Sequence, residues 1–195
     1  MRVLVACEFS GVVRDAFIST GHDAISCDLL PSESDKGPHY QGDVRDILYD
    51  GFDLMIAHPP CTHLAVSGAR WFKDKIEEQK YALEFVRFLM DAPINKICIE
   101  NPVSIISSKI RKPDQIIQPY EYGYPETKKT CLWLKNLPKL TPTNIVEPEF
   151  VILKDGSRMS PTHFNTWNGK KCDRAKNRSR TYAGIADVMS YQWNF

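Results

Sequence analysis

The chain has 195 residues, 43% of them apolar and 25% charged, and its net charge at pH 7 is +1. That length suits one well-packed domain spanning residues 1–195, and so small a net charge points to no class of partner. No apolar run approaches the roughly 18 residues a membrane span needs, and the first apolar run starts at Arg2, so no membrane association and a cytoplasmic location are expected.

Taken in chain order, "RVLVA" reads as a buried strand, "CEFSG" as a turn, and "VVRDAFIST" as a helix that Gly21 ends. "DAISCD" supplies a second strand. A β-α-β opening crosses over right-handed and predicts parallel strands with helices packed on them. "DLMIAH" is a further strand, stopped by Pro59 and Pro60, which cannot donate to a ladder. Between Phe72 and Asp91 the spacing of Ile76, Leu83, Val86 and Met90 predicts the buried stripe of a long helix. "NKICIE" is the next strand, which "ENP" should break. "TCLWL" reads as another strand, "PKLTPT" as an irregular connection, and "VILKDGSRM" as a hairpin turning at Asp155 and Gly156. Residues 161–177 are polar and predict an exposed loop before a C-terminal helix in "GIADVMSYQW". The fold class expected is α/β: an open, mostly parallel, Rossmann-like sheet with helices on both faces.

Ligands of such sheets sit outside the carboxyl ends of the strands, which would bring Gly11, Asp28, Asp43, Cys61 and Glu100 to one rim. The glycine of the first turn lets a ligand approach the backbone, and the following helix N-terminus favours an anion. Asp28, at the end of the second strand, stands where nucleotide-binding folds place the acid that takes ribose hydroxyls. With no G-x-G-x-x-G and no Walker lysine, an adenosine without phosphates fits better than a pyrophosphate. Each signal alone has a plain structural explanation: turn glycines are common, and a lone cysteine is usually an inert buried thiol. The six cysteines contain no C-x-x-C pair, so neither disulfides nor a metal site is expected; His163 and Cys172 are only a loose pair. Between Lys170 and Arg180, six basic residues stand against Asp173 alone, a patch that is either solvated surface or a phosphate contact.

Together these segments resemble the DNA cytosine C5 methyltransferases. "EFSG" is similar to that family's first cofactor loop, with Phe9, Ser10 and Gly11; Asp28 with Leu29 matches its ribose-binding acid, and "GDVRD", with Asp43 and Val44, its adenine-side loop. "PPCTHLAVSG" resembles the nucleophile motif, with Pro59 as a further cofactor contact before Cys61, and "IENP" the motif of the second catalytic residue, Glu100, beside Asn101. "ETKKTCLWL" stands where the family has a basic strand over the substrate, with Lys128 and Lys129 in place of arginines. The resemblance runs from Arg2 to about Leu134. Cys7 replaces the family's usual acid in the first loop, and residues 135–180 leave only a reduced substrate-facing region.

The resemblance implies S-adenosylmethionine as cofactor and cytosine in DNA as substrate. Cys61 would add to C6, Glu100 would hold N3 and the exocyclic amine, and Asn101, Lys128, Lys129, Arg178 and Arg180 would contact the substrate. Single-stranded DNA or a cytosine nucleotide stands beside duplex DNA as a candidate, because a small protein has little with which to offset extrusion of a base. Alternatives are the same fold acting on a pyrimidine nucleotide or RNA, and a non-catalytic nucleoside-binding module, as an oligomer or a partner's subunit.

Overall fold

The computed structural model describes residues 1–167 and 176–195. Strands β1 (Arg2–Ala6), β2 (Asp23–Asp28), β3 (His39–Gln41), β4 (Leu54–Ala57), β5 (Lys96–Pro102), β6 (Gln115–Ile117) and β7 (Thr130–Lys135) form one seven-stranded sheet in the order β3-β2-β1-β4-β5-β7-β6. The first five strands of that order run parallel, while β7 lies antiparallel between β5 and β6. The sheet is therefore the open, mostly parallel, Rossmann-like one expected. A separate hairpin pairs β8 (Val151–Ile152) with β9 (Arg158–Met159), turning through Gly156.

Successive residues of a strand face opposite sides of a sheet, and β1 shows both sides covered. Val3 and Val5 pack with Val13 and Phe17 of helix α1 (Val12–Ser19) and with Ile185 and Met189 of the C-terminal helix, here α5 (Ala183–Gln192). Leu4 and Ala6 pack on the other side with Val86 and Leu89 of α2 (Ile76–Met90) and Ile106 of the short α3 (Ile106–Lys109). Helix α1 ends as its sequence indicates, with Gly21 at φ 86°. Helix α5 is pinned past its end by Trp193, fully buried, whose Nε1 donates to the Pro138 carbonyl at 3.0 Å.

Three expectations change. The long helix begins only at Ile76, because residues Val66–Asp74 wind as 3₁₀ turns; Ile76 is 66% exposed, and the stripe buried in α2 is Val86 and Leu89. The "ENP" segment does not break β5. It continues the strand to Pro102, since β7 supplies an antiparallel partner for Glu100, Asn101 and Pro102. Where a loop was expected, Pro161–Trp167 forms a helix, α4, whose first turn is held when Glu126 accepts from the Thr162 backbone N–H and hydroxyl at 2.8 and 2.7 Å. Lys170, Lys171, Cys172, Asp173 and Arg174 lie outside the described residues.

Candidate active site

Two adjoining cavities open at the carboxyl ends of the strands, sharing Cys7 and Pro60 in their walls. The first, of about 250 Å³, lies beyond β2; it is lined by Asp28, Leu29, Asp43 and Val44 together with Cys27 and Phe85. Its carboxylates are held by their own loops. Asp28 accepts from the Leu30 N–H at 2.9 Å, and Asp43 caps a 3₁₀ turn by accepting from the Arg45 N–H at 2.9 Å and from its guanidinium at 2.8 Å. Arg45 in turn lies over the Phe85 and Phe88 rings, at 5.1 and 5.5 Å from their centroids. Burial, helped by the charge of Asp28, pushes the Cys7 thiol up to about 12, which disfavours its thiolate.

The first turn does something the sequence reading missed. Cys7 takes a left-handed conformation, φ 58°, and the chain then buries Glu8 beneath the start of α1. The Glu8 carboxylate accepts from the Val13 and Arg14 backbone N–H groups at 2.7 and 3.3 Å and from the Ser10 hydroxyl at 3.2 Å. The helix N-terminus expected to receive a ligand's anion is thus occupied by the chain's own carboxylate. Gly11, at φ 76°, closes this turn: a Cβ there would lie 2.6 Å from Arg14 Nη2 and 2.8 Å from Ser34 Cβ. Fully buried Arg14 uses that space to hold the loop between β2 and β3, donating to Ser26, Ser32, Ser34 and Pro38.

The second cavity, of about 270 Å³, brings Cys61 and Glu100 together with Phe9, Ser10, Pro59, Asn101, Lys128 and Arg178. Cys61 follows β4 through the two prolines. Its loop is held at both ends: Asn101 Nδ2 donates to the Pro59 carbonyl at 2.8 Å, and the Val66 and Ile105 N–H groups bond across to the Val103 and Leu64 carbonyls at 3.1 and 3.0 Å. Burial first, and the charge of Glu100 next, raise the Cys61 thiol above its ordinary value, with Lys128 working in the opposite direction. Lys128 is thus a positive neighbour of the thiol, but burial outweighs it.

His58 also lines this cavity, three positions before the cysteine on the same strand end. Its Nδ1 lies 3.2 Å from Glu100 Oε2, and both side chains are largely buried. Burial by itself would lower the imidazole and raise the carboxyl. Their mutual hydrogen bond and charge prevail, so His58 is held above and Glu100 below its ordinary value, the latter with help from Lys128 and Thr130. His58 Nε2 and Asn101 Oδ1 are buried without a hydrogen-bond partner among the described residues. Sequence reasoning passed over His58 because its partner lies 42 residues away; its place at a strand end three residues before the cysteine was the available signal.

The lysines and arginines read as substrate contacts divide. Lys128 Nζ donates to the Arg178 carbonyl at 2.8 Å, drawing the segment before α5 over the cavity, whereas Lys129 is exposed beside it. Arg180 forms a two-pronged pair with Glu33, at 2.9 and 2.8 Å, and Lys176 meets the same carboxylate at 2.8 Å. Arg178 donates from Nε to the Thr166 hydroxyl at 2.9 Å. A third cavity, of about 370 Å³, continues from the second past Lys128, Arg178 and Thr181 toward Thr162 and His163.

Among the described residues no group of three or more histidine, cysteine, aspartate or glutamate side chains is placed to hold a metal ion, and no helix is long and apolar enough to cross a membrane. No family model matches the chain, and no curated protein does. Among solved structures, it is similar to an E. coli protein described as a "putative DNA modification methyltransferase encoded within prophage", with a TM-score of 0.53 and 18% identity. The match covers 75% of this chain and 52% of that one, so the chain spans about half the length of the structure it matches.

Proposed function

We propose that the chain is an S-adenosylmethionine-dependent methyltransferase acting at C5 of cytosine in DNA, with Cys61 as nucleophile and Glu100 as the group that holds the base. The observation that carries this reading is the placing of Cys61, Glu100 and Asn101 in one cavity at the ends of β4 and β5, adjoining a second cavity at the end of β2. The similarity in fold to a protein described as a DNA modification methyltransferase supports it, as do the ordered motifs that resemble the cytosine C5 enzymes.

The first cavity suits the adenosine part of the cofactor. Asp28 offers a carboxylate to ribose hydroxyls, Asp43 and Val44 border the base position, and Leu29 and Phe85 supply apolar wall. Glu8 fills the helix N-terminus that a phosphate would require, which accords with a cofactor lacking phosphates. S-adenosylmethionine, when bound, would supply an electrophilic methyl group to a carbon made electron-rich beside it.

The chain's residues make that carbon electron-rich. Cys61, having released its proton to water, adds through sulfur to C6 of the cytosine. The charge that develops is met at N3 by a proton from the Glu100 carboxyl. Asn101 acts at one remove: by fixing the Pro59 carbonyl it sets the direction in which Pro60 presents Cys61. Once C5 is substituted, its proton leaves to water, N3 returns its proton to Glu100, and the sulfur–C6 bond breaks to restore the ring. Among the described residues beyond β7, the β8–β9 hairpin and α4 are small, which favours an unpaired or weakly paired cytosine as substrate.

The reading is tested by incubating the protein with methyl-labelled S-adenosylmethionine and, in separate tubes, duplex DNA, single-stranded DNA, RNA and cytidine nucleotides. Label in 5-methylcytosine of the DNA tubes is expected. Label only in RNA or nucleotide overturns the substrate, and label in another nucleoside overturns the chemistry.

A further inference from the structure

Resting on that functional reading, we infer that His58 is the proton store of the active site: its Nδ1 holds the proton that Glu100 passes to cytosine N3, across their direct contact. Glu100 must offer a proton while the structure surrounds it with groups that favour its carboxylate. Burial favours its neutral form, but the His58 hydrogen bond and charge, helped by the Lys128 charge and the Thr130 hydroxyl, hold it ionised. A carboxylate cannot donate to N3. The group in direct contact with it that can supply a proton is His58 Nδ1, 3.2 Å from Oε2.

The proton balance closes without any other reactant. As the base arrives and Cys61 adds to C6, the Nδ1–H bond of His58 breaks, Oε2 of Glu100 takes that proton, and the carboxyl's proton forms the N3–H bond. Elimination of the sulfur reverses each transfer, and the imidazolium is restored.

The groups facing His58 fit a store that fills and empties. Glu100 comes from β5, Glu8 from the loop after β1, and Lys128 from the segment before β7; the two carboxylates favour the charged ring and the lysine opposes it. Fully satisfied imidazolium would be a permanent ion pair. Here Nε2 is buried with no partner among the described residues, so the ring carries one firm hydrogen bond, the one along which the proton moves.

His58→Asn separates this role from a structural one, because an Asn amide can still donate to Glu100 from the place of Nδ1 but has no proton to give up. In the unsubstituted protein, kcat/KM rises with pH as Cys61 ionises and falls as the His58–Glu100 pair loses its proton, at a pH set by the raised imidazole. In His58→Asn the proton can reside only on Glu100, a carboxyl whose ordinary range lies well below that of an imidazole; burial raises it, and Lys128 and Thr130 lower it. The expected result is a falling limb moved to lower pH by about one unit, with kcat reduced by about 10²-fold and KM changed less. A falling limb that stays in place or moves up overturns the inference. Should the variant not fold, the ring nitrogens of His58 are followed by ¹⁵N NMR in the unsubstituted protein. Imidazolium that becomes neutral on adding a cytosine oligonucleotide with S-adenosylhomocysteine is expected, and an unchanged protonation state overturns the inference. Methyl transfer with unaltered profiles defeats this inference alone, whereas no transfer to any cytosine substrate defeats the functional reading together with it.

Discussion

The two cavities at the strand ends are built from similar residues but treat their polar groups in opposite ways. Around the first, each acid is tied to its own loop: Asp28 to Leu30 and Asp43 to Arg45. Around the second, His58 Nε2 and Asn101 Oδ1 are buried with no partner among the described residues. Unpaired buried polar atoms cost about 1–3 kcal/mol each, a cost that folding alone gives no reason to keep. The first region is a shaped seat whose rigidity is intrinsic. The second is unfinished until a polar ring enters it, which is where the chemistry is proposed to occur.

If that division holds, substitutions in the second cavity abolish turnover and spare binding in the first. Cys61→Ser removes the nucleophile and lowers methyl transfer by about 10⁴-fold or more, while equilibrium dialysis shows cofactor affinity unchanged. Glu100→Gln keeps a hydrogen-bonding group but cannot protonate N3, and kcat falls by about 10²–10³-fold in single-turnover assays. Substitution in the first cavity has the opposite signature: Asp28→Ala raises the cofactor Kd by about 10–100-fold, with kcat at saturation little altered. At the start of α1, Glu8→Ala leaves two buried helix amides without their acceptor and destabilises the fold by about 1–3 kcal/mol, visible as a lowered Tm.

The smallest effect belongs to the segment before α5, which lies over the second and third cavities. The Arg180 and Lys176 charges hold the Glu33 carboxyl down to about 2, chiefly through the Arg180 hydrogen bonds. Because the folded value is depressed, this contact contributes at neutral pH and is lost as pH falls from the ordinary carboxylate range toward about 2. The pair is at the surface, so Glu33→Gln costs at most about 1 kcal/mol. Tryptic cleavage after Lys176 and Arg180 should quicken about fivefold or less, and added salt should produce the same change without the substitution.

What could be read from the sequence follows from how local each signal is. β1, α1, β2 and β4 are short runs legible within their own residues, α1 being closed by Gly21 and β4 by Pro59 and Pro60. The end of β5 was misjudged because a proline was read as a stop, whereas the partner that continues the strand, β7, lies about thirty residues further on. Ile76 matched a helical stripe by spacing but falls in the first turn of α2, beyond the reach of the sheet, and is left in solvent. At the site, Cys61, Glu100 and Asp28 were legible as chemical groups at strand ends. Glu8 and His58 were not, since one is defined by the amides it caps and the other by a contact across two strands. Arg180 was legible as a cation, but its engagement by Glu33, 147 residues away, is a property of the folded chain.

The central claim, that Cys61 bonds to C6 of a cytosine on the way to a C5 product, is tested most directly by an oligonucleotide carrying 5-fluorocytosine. Fluorine at C5 cannot leave as a proton does, so the ring cannot be restored once sulfur has added and the methyl group has been accepted. With S-adenosylmethionine present, the expected result is a covalent complex in the intact-protein mass spectrum, its peptide map placing the oligonucleotide on Cys61, and no such complex with Cys61→Ser. Methylation of ordinary cytosine without any adduct to the fluorinated one would contradict the claim.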